Sequence, residues 1–210
     1  MTPFTTLTAP ALALPYASID TDQLIPARFM SRTRAEGYGD VLLHDMRRKA
    51  DGTPDPSFPL NDPARSGAAI LVARRNFGSG SSREAAVYAL ADAGFHAVIA
   101  PSFGDIFASN AVNNGLVPAV VEADAVEAMI AFLVAGPGKL TVDLATTTVA
   151  WGKERVAFAI DPVWRTKLLN GWDDLDLTMQ HRAAIEAFAA ADAARRPWAR
   201  PRGASPQGTE

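Results

Sequence analysis

Residues 69 to 100 read AILVARRNFGSGSSREAAVYALADAGFHAVIA, and this stretch decides the fold. Ala69 to Ala73 is a short apolar run that predicts a buried strand, while residues 84 to 93 are good helix formers that end at Gly94. Residues 95 to 100 predict a second strand. Strand, glycine loop, helix and strand therefore follow one another, which predicts a right-handed βαβ unit with parallel strands.

The loop of this unit, residues 76 to 84, has the composition of a site for an anionic small molecule. It places two glycines, Ser81, Ser82 and Arg83 at the start of the predicted helix, where free N–H groups and the helix dipole favour a carboxylate or phosphate. Its spacing does not fit the P-loop, the dinucleotide fingerprint or the nucleophile elbow. Ser81 has a second interpretation, because it begins an S-x-x-E pattern that ends at Glu84 and is typical of a helix capping box.

The composition indicates a globular protein of one domain. The chain has 210 residues, 48% of them hydrophobic, and its mean hydropathy is +0.02. A net charge of -3 provides no basic face for nucleic acid, and no apolar run is long enough to span a membrane. Because the first residues lack the pattern of a signal peptide, we expect the protein in the cytoplasm.

The absence of cysteine limits the cofactors that the chain can hold. Without cysteine it has no disulfide, no thiol nucleophile and no thiolates for an iron–sulfur cluster. The three histidines, His44, His96 and His181, lie far apart and have no acidic residue at recognisable ligand spacing. We therefore expect no metal or cofactor bound by this chain, and any cluster must come from a partner.

The rest of the sequence predicts a mixed α/β domain. Residues 4 to 7 predict a strand, and residues 27 to 66 look irregular and are expected to include mobile loops. The central part alternates helices and strands, whereas three later segments alternate in the manner of an antiparallel meander. The further helices are expected at 102 to 113, with Ser102 as cap, at 125 to 135, with Asp124 as cap, at 163 to 170 and at 178 to 190; the further strands are expected at 116 to 121, 140 to 144, 147 to 151 and 155 to 160. We expect one domain over residues 1 to 196 and a disordered tail over residues 197 to 210.

Four motifs in register resemble the small subunit of 3-isopropylmalate dehydratase. They are DTDQLIP at 20 to 26, NFGSGSSRE at 76 to 84, APSFGDIF at 100 to 107 and NGLVP at 114 to 118. Residues 168 to 181 continue the match, so that the resemblance covers roughly residues 4 to 190. It implies the swivelling β/β/α domain of the aconitase superfamily, with a parallel βαβ core and an antiparallel meander. It also implies a partner, a large subunit that carries a [4Fe-4S] cluster.

The resemblance also implies a reaction and the residues that perform it. The family isomerises 2-isopropylmalate to 3-isopropylmalate in leucine biosynthesis by removing water and adding it back. Ser81 matches the family's base, which takes the carbon-bound proton, and Asp22 matches a further active-site position. Ser82 and Arg83 are expected to bind the substrate, with Arg83 holding a carboxylate through a two-pronged contact that lysine does not reproduce.

Departures from the family pattern leave the substrate open. The family usually has cysteine at the position of Ser79 and histidine at the position of Ala85. It often has cysteine at the position of Ala111. The loop at 29 to 34, which corresponds to the substrate-recognition segment, lacks its usual sequence, although Arg32 or Arg34 is a candidate for binding the second carboxylate. Two alternatives therefore remain: a related hydro-lyase subunit for citraconate or a substituted malate, and a diverged partner or binding subunit without turnover.

Overall fold

The computed structural model describes residues 1 to 199, which fall into two compact units. The first unit is Met1–Trp172, and the second begins at Asp173. The prediction of one domain over residues 1 to 196 remains a prediction. The expected disordered tail, residues 197 to 210, lies outside the described residues from residue 200 onward, and Pro197–Ala199 form a 3-10 turn.

A seven-stranded mixed sheet forms the centre of the first unit. Its strands are β1 (Thr6–Leu14), β2 (Ile70–Ala73), β3 (Ala97–Ala100), β4 (Val117–Val120), β5 (Gly138–Asp143), β6 (Thr148–Trp151) and β7 (Glu154–Ala157). They lie in the order β4-β3-β2-β1-β5-β6-β7. Strands β1 to β4 pair parallel with one another, whereas the pairs β1–β5, β5–β6 and β6–β7 are antiparallel. The predicted parallel βαβ core and antiparallel meander are therefore confirmed.

Helices cover both faces of this sheet. They are α1 (Thr21–Leu24), α2 (Ala85–Asp92), α3 (Asp105–Asn113), α4 (Ala123–Ala135) and α5 (Pro162–Asn170). Alternate residues of the buried strands face opposite sides, so Leu71 packs in the layer that contains α2, and Val72 packs in the layer that contains α4. Burial on both faces explains why the parallel strands read as continuous apolar runs.

Helix ends follow the predicted signals in part. Gly171 ends α5 in the left-handed conformation, and Gly115 has a positive φ directly after α3, as expected for helix stops. The two predicted N-caps are wrong. Glu122 occupies the cap position of α4 while Asp124 lies in its first turn, and Gly104 rather than Ser102 precedes α3.

The irregular segment at 27 to 66 packs against the sheet. It forms five 3-10 turns and contributes buried side chains to the layer around α2. These buried residues are Tyr38, Val41, Leu42, Leu43 and Phe58. Its loops therefore form part of the hydrophobic core, which the expectation of mobile loops did not anticipate.

The second unit contains the helices α6 (Asp174–Met179) and α7 (Arg182–Arg195). The helix predicted at 178 to 190 is confirmed over most of its length by α7, but its start is wrong, because residues 180 and 181 separate α7 from a second helix, α6. An Asp173 capping box starts α6 four residues before the predicted start. No helix in residues 1 to 199 is both long and apolar enough to cross a membrane.

Candidate active site

Three loops meet where the parallel strands β1, β2 and β3 end. The chain leaves each strand at the same edge of the sheet, so that residues far apart in sequence become neighbours. Main-chain hydrogen bonds join the loops, from Gly78 N to Ile19 O (2.7 Å), Thr21 N to Ser79 O (2.9 Å), Phe77 N to Ser102 O (3.0 Å) and Gly104 N to Phe77 O (2.9 Å). Because these bonds use only backbone atoms, they hold the loops together without using any side chain.

The two glycines of the loop at 76 to 84 allow this close approach. Gly78 has φ +70, and a Cβ there would lie 2.2 Å from Cγ of Phe107. Gly80 has φ +100, and a Cβ there would lie 3.3 Å from Oγ1 of Thr21. Both positions require a backbone conformation that side chains disfavour, and Gly78 also has no space for one.

Three aromatic rings support the loop from below. Phe77 is fully buried, and its ring meets that of Phe107 edge-on with the centroids 5.3 Å apart. The ring of Phe103 stacks on Phe107 at 6.3 Å. Such edge and stacked contacts are favourable geometries for aromatic pairs. They give the glycine loop a rigid base on α3.

Ser81 is bound by Thr21 and does not cap α2. Its Oγ lies 3.0 Å from Oγ1 of Thr21, and its backbone N–H donates to the same oxygen at 3.0 Å. The capping-box interpretation is wrong, because α2 begins only at Ala85 and has no side-chain cap. Glu84 instead accepts a hydrogen bond from Nδ2 of Asn114.

Arg83 and Asp22 form an ion pair beside Ser81. Arg83 Nη1 donates to Asp22 Oδ1 across two of the loops, and the arginine side chain is 21% exposed while the aspartate is 58% exposed. Ser82 is exposed between Ser81 and Arg83. In residues 1 to 199 no acceptor is found for the backbone N–H groups of Ser82, Arg83 and Glu84. The structure thus brings together four predicted residues, which are Asp22, Ser81, Ser82 and Arg83.

Arg32 and Arg34 have other partners. Arg32 pairs with Asp40 at 2.8 Å. Arg34 lies 4.4 Å above the ring of Tyr88 and pairs with Asp92, whose hydrogen bond raises the pKa of the Arg34 guanidinium. Asp92 ends α2, about 10 Å along the helix axis from its first residue. Arg34 is therefore bound at the end of α2 that is remote from Ser81.

The chain itself offers no ligands for an iron–sulfur cluster. It contains no cysteine, and over the described residues no three His, Asp or Glu side chains come together in a manner that suits a metal ion. The donor set of this chain does not fit such a cluster.

Thr21 is the contact residue that the sequence interpretation missed. It is 1% exposed although threonine is commonly found at the surface. A signal was present, since Thr21 stands between the two aspartates of the DTD motif. Only the fold shows that the hydroxyl of this threonine faces Ser81.

Fold and site together define a class of protein: an α/β domain that offers a hydroxyl, an arginine and free N–H groups at the carboxyl ends of parallel strands. Residues 1–124 match the family described as the aconitase C-terminal domain. A solved structure of a 3-isopropylmalate dehydratase from Methanocaldococcus jannaschii shares this fold, with a TM-score of 0.60, 24% identity, and 88% of this chain and 99% of that chain covered.

Curated relatives narrow the class to one family. The 3-isopropylmalate dehydratase small subunit of Chloroflexus aurantiacus is 47% identical over 192 residues, which cover 90% of this chain and 96% of that protein. The small subunit from Shewanella oneidensis is 44% identical over the same shares of both chains. This chain belongs to the family of 3-isopropylmalate dehydratase small subunits. The family predicted from the four motifs is confirmed, and so is the swivelling domain fold of the aconitase superfamily.

Proposed function

We propose that this chain acts as the small subunit of a cytoplasmic hydro-lyase that isomerises 2-isopropylmalate to 3-isopropylmalate in leucine biosynthesis. The observation that carries the proposal is the convergence of Ser81, Arg83 and Asp22 on adjacent loops of a domain from this family. The enzyme requires a large subunit as its partner. Because the donor set of this chain does not fit a [4Fe-4S] cluster, we assign the cluster to the large subunit, where it supplies a Lewis acid for the substrate hydroxyl.

Ser81 is the proposed base of the reaction. Removal of water from 2-isopropylmalate requires loss of a proton from the carbon next to the one that carries the hydroxyl. In its alkoxide form Ser81 Oγ accepts this proton and becomes a hydroxyl. On rehydration it returns the proton to the carbon that carried the hydroxyl, while the hydroxyl of water adds to the carbon that lost the proton. Since a serine hydroxyl is a weak base, its alkoxide must be stabilised by nearby donors and positive charge. Thr21 Oγ1 lies 3.0 Å from the Ser81 oxygen, and Arg83 follows two residues along the same loop and is held by Asp22, the neighbour of Thr21 in sequence.

Arg83 is the proposed clamp for a substrate carboxylate. Its guanidinium has five N–H donors in a fixed fork, so that it can bind the substrate carboxylate while one donor remains on Asp22. Ser82 and the free N–H groups of the loop provide further donors for the same anion. Asp22 thereby orients Arg83 before the substrate arrives.

The assignment of Arg32 and Arg34 to the second carboxylate remains a proposal. Each arginine would have to leave its carboxylate partner, Asp40 or Asp92, in order to contact the substrate. Ser79 and Ala85 depart from the family pattern. The diacid substrate must therefore be identified by direct measurement.

Reconstitution with a cluster-loaded large subunit tests the proposal. The complex is assayed with 2-isopropylmalate, citraconate and substituted malates, and alkene formation is followed by absorbance. We expect turnover of 2-isopropylmalate, and we expect Ser81→Ala to lower kcat about 10²- to 10⁴-fold. Ser66→Ala, at an exposed serine that precedes β2 and therefore lies toward the end of the strand opposite the loop, serves as the control and retains the full rate. Equal rates for Ser81→Ala and wild type would remove the base assignment, and a preference for citraconate would reassign the substrate.

A further inference from the structure

The backbone of Thr21 is fixed by contacts that do not involve Ser81. It is the first residue of α1, whose capping box joins Asp20 Oδ1 to Gln23 N at 2.7 Å and Gln23 Oε1 to Asp20 N at 2.9 Å. The backbone N–H of Thr21 donates to Ser79 O at 2.9 Å. The side chain therefore has little freedom and approaches Ser81 from a fixed direction.

The hydrogen bonds of Thr21 determine where its proton points. Oγ1 of Thr21 already accepts the backbone N–H of Ser81. A buried hydroxyl also needs an acceptor for its own proton, because leaving it without one is costly. Within residues 1 to 199, the acceptor that the structure shows at bonding distance is Ser81 Oγ, at 3.0 Å. Either hydroxyl can donate in this contact, and donation from Thr21 is the direction that gives the buried Thr21 proton an acceptor and leaves the exposed Ser81 proton to point away.

We propose that Thr21 is a positioning residue that turns the Ser81 oxygen toward the substrate and stabilises its alkoxide by donating a hydrogen bond. This inference rests on the proposed role of Ser81 as base. The two contacts act together: the acceptor side of Thr21 fixes the backbone of Ser81, and the donor side binds the side-chain oxygen. A donor aimed at developing negative charge stabilises it more strongly than the neutral hydroxyl that precedes it.

Gly80 is consistent with this arrangement. A Cβ at this position would lie 3.3 Å from Oγ1 of Thr21 and would press on the oxygen that bonds to Ser81. Glycine at residue 80 therefore leaves the Thr21 hydroxyl free to approach Ser81.

Two substitutions of Thr21 distinguish the effect of its hydroxyl from the effect of its shape. Thr21→Val keeps the branched shape without the hydroxyl, and Thr21→Ser keeps the hydroxyl. In the complex with the large subunit, we expect Thr21→Val to lower kcat about 10²-fold. We also expect it to leave KM unchanged and to move the acidic limb of the kcat profile to higher pH, because the alkoxide is less stabilised. Thr21→Ser should restore both the rate and the profile. Equal kcat values and pH profiles for the two variants would overturn the proposal.

Ser81→Ala distinguishes failure of this inference from failure of the proposed function. If Ser81→Ala has the wild-type rate, the base assignment itself fails. If Ser81→Ala is inactive while Thr21→Val matches wild type, only the role of Thr21 fails. Adding Thr21→Val to Ser81→Ala should not lower the residual rate further. If the double variant instead loses as much as Thr21→Val loses in the wild type, Thr21 acts on structure and not through Ser81. If Thr21→Val does not assemble with the large subunit, Thr21→Ala is compared with Thr21→Ser by the same pH profile.

Discussion

Replacement of Gly78 by alanine should destabilise the protein far more than the same replacement at Gly52. Both glycines have a positive φ, +70 and +83, so an alanine at either position costs about 1–2 kcal/mol of backbone strain. At Gly52 an added Cβ meets nothing within 4 Å, and the cost should end there. At Gly78 the Cβ would lie 2.2 Å from Cγ of Phe107, a clash that must move the ring.

The ring of Phe107 has little space in which to move. It is 2% exposed and is packed against Phe77 and Phe103. Overpacking of this kind costs about 1–3 kcal/mol. Together with the backbone strain, we expect Gly78→Ala to lower the free energy of unfolding by about 2–5 kcal/mol.

Urea unfolding followed by circular dichroism measures both variants. The midpoint should fall more for Gly78→Ala than for Gly52→Ala at an unchanged m-value. Combining Gly78→Ala with Phe107→Leu should cost less than the sum of the two single changes, because the smaller side chain relieves the clash. Equal losses at the two glycines would refute the argument that close contact with Phe107 dictates glycine at residue 78.

Three further predictions concern single charged residues. Arg34→Gln should lower the free energy of unfolding by less than about 1 kcal/mol, as for an exposed ion pair, and should raise KM of the reconstituted enzyme through loss of the proposed contact with the second carboxylate; an unchanged KM would remove Arg34 from the substrate. Arg83→Lys should lower kcat/KM of the reconstituted enzyme about 10- to 100-fold through loss of the forked contact, with Arg182→Lys, at an exposed ion pair of α7, as the control. The backbone N–H of Thr146 holds the pKa of Asp143 below its ordinary value of 3.8, so this carboxylate stabilises the fold above that pH and the contribution is lost as the pH falls. Asp143→Asn should therefore show a smaller drop in its urea midpoint on acidification than wild type, and parallel curves would contradict this sign.

The hydrophobic pattern of the sequence predicted the strands that are buried along their length. The strands β2 to β4 are short apolar runs, so their existence and parallel order followed from the sequence. Strand β1 was predicted only over residues 4 to 7, whereas it continues to Leu14. Pro10 and three alanines have weak strand propensity, and pairing with β2 and β5 on both sides outweighs it.

The grouping of the candidate site residues was predictable where one loop carries them. Ser81, Ser82 and Arg83 lie within three residues, and the DTD motif supplied Asp22. The Thr21 contact joins residues 60 positions apart, and the pairing of Arg34 with Asp92 joins residues 58 positions apart. Such contacts depend on how the strands align, which one sequence alone does not reveal. The capping-box pattern failed for a related reason. The backbone N–H and the side-chain oxygen of Ser81 both contact Thr21, so that Ser81 does not cap α2.

The main-chain bonding of the three loops has a consequence for how the candidate site can be altered during evolution or in the laboratory. Because backbone atoms join residues 77 to 79 to the loops at 19 to 21 and 102 to 104, side chains such as that of Ser79 can be exchanged without loosening the framework. A change of the side chain at residue 79 is therefore expected to have a small effect on stability. New substrates can be sought by varying residues 79, 82 and 85 together, while Gly78, Gly80 and Thr21 are kept constant.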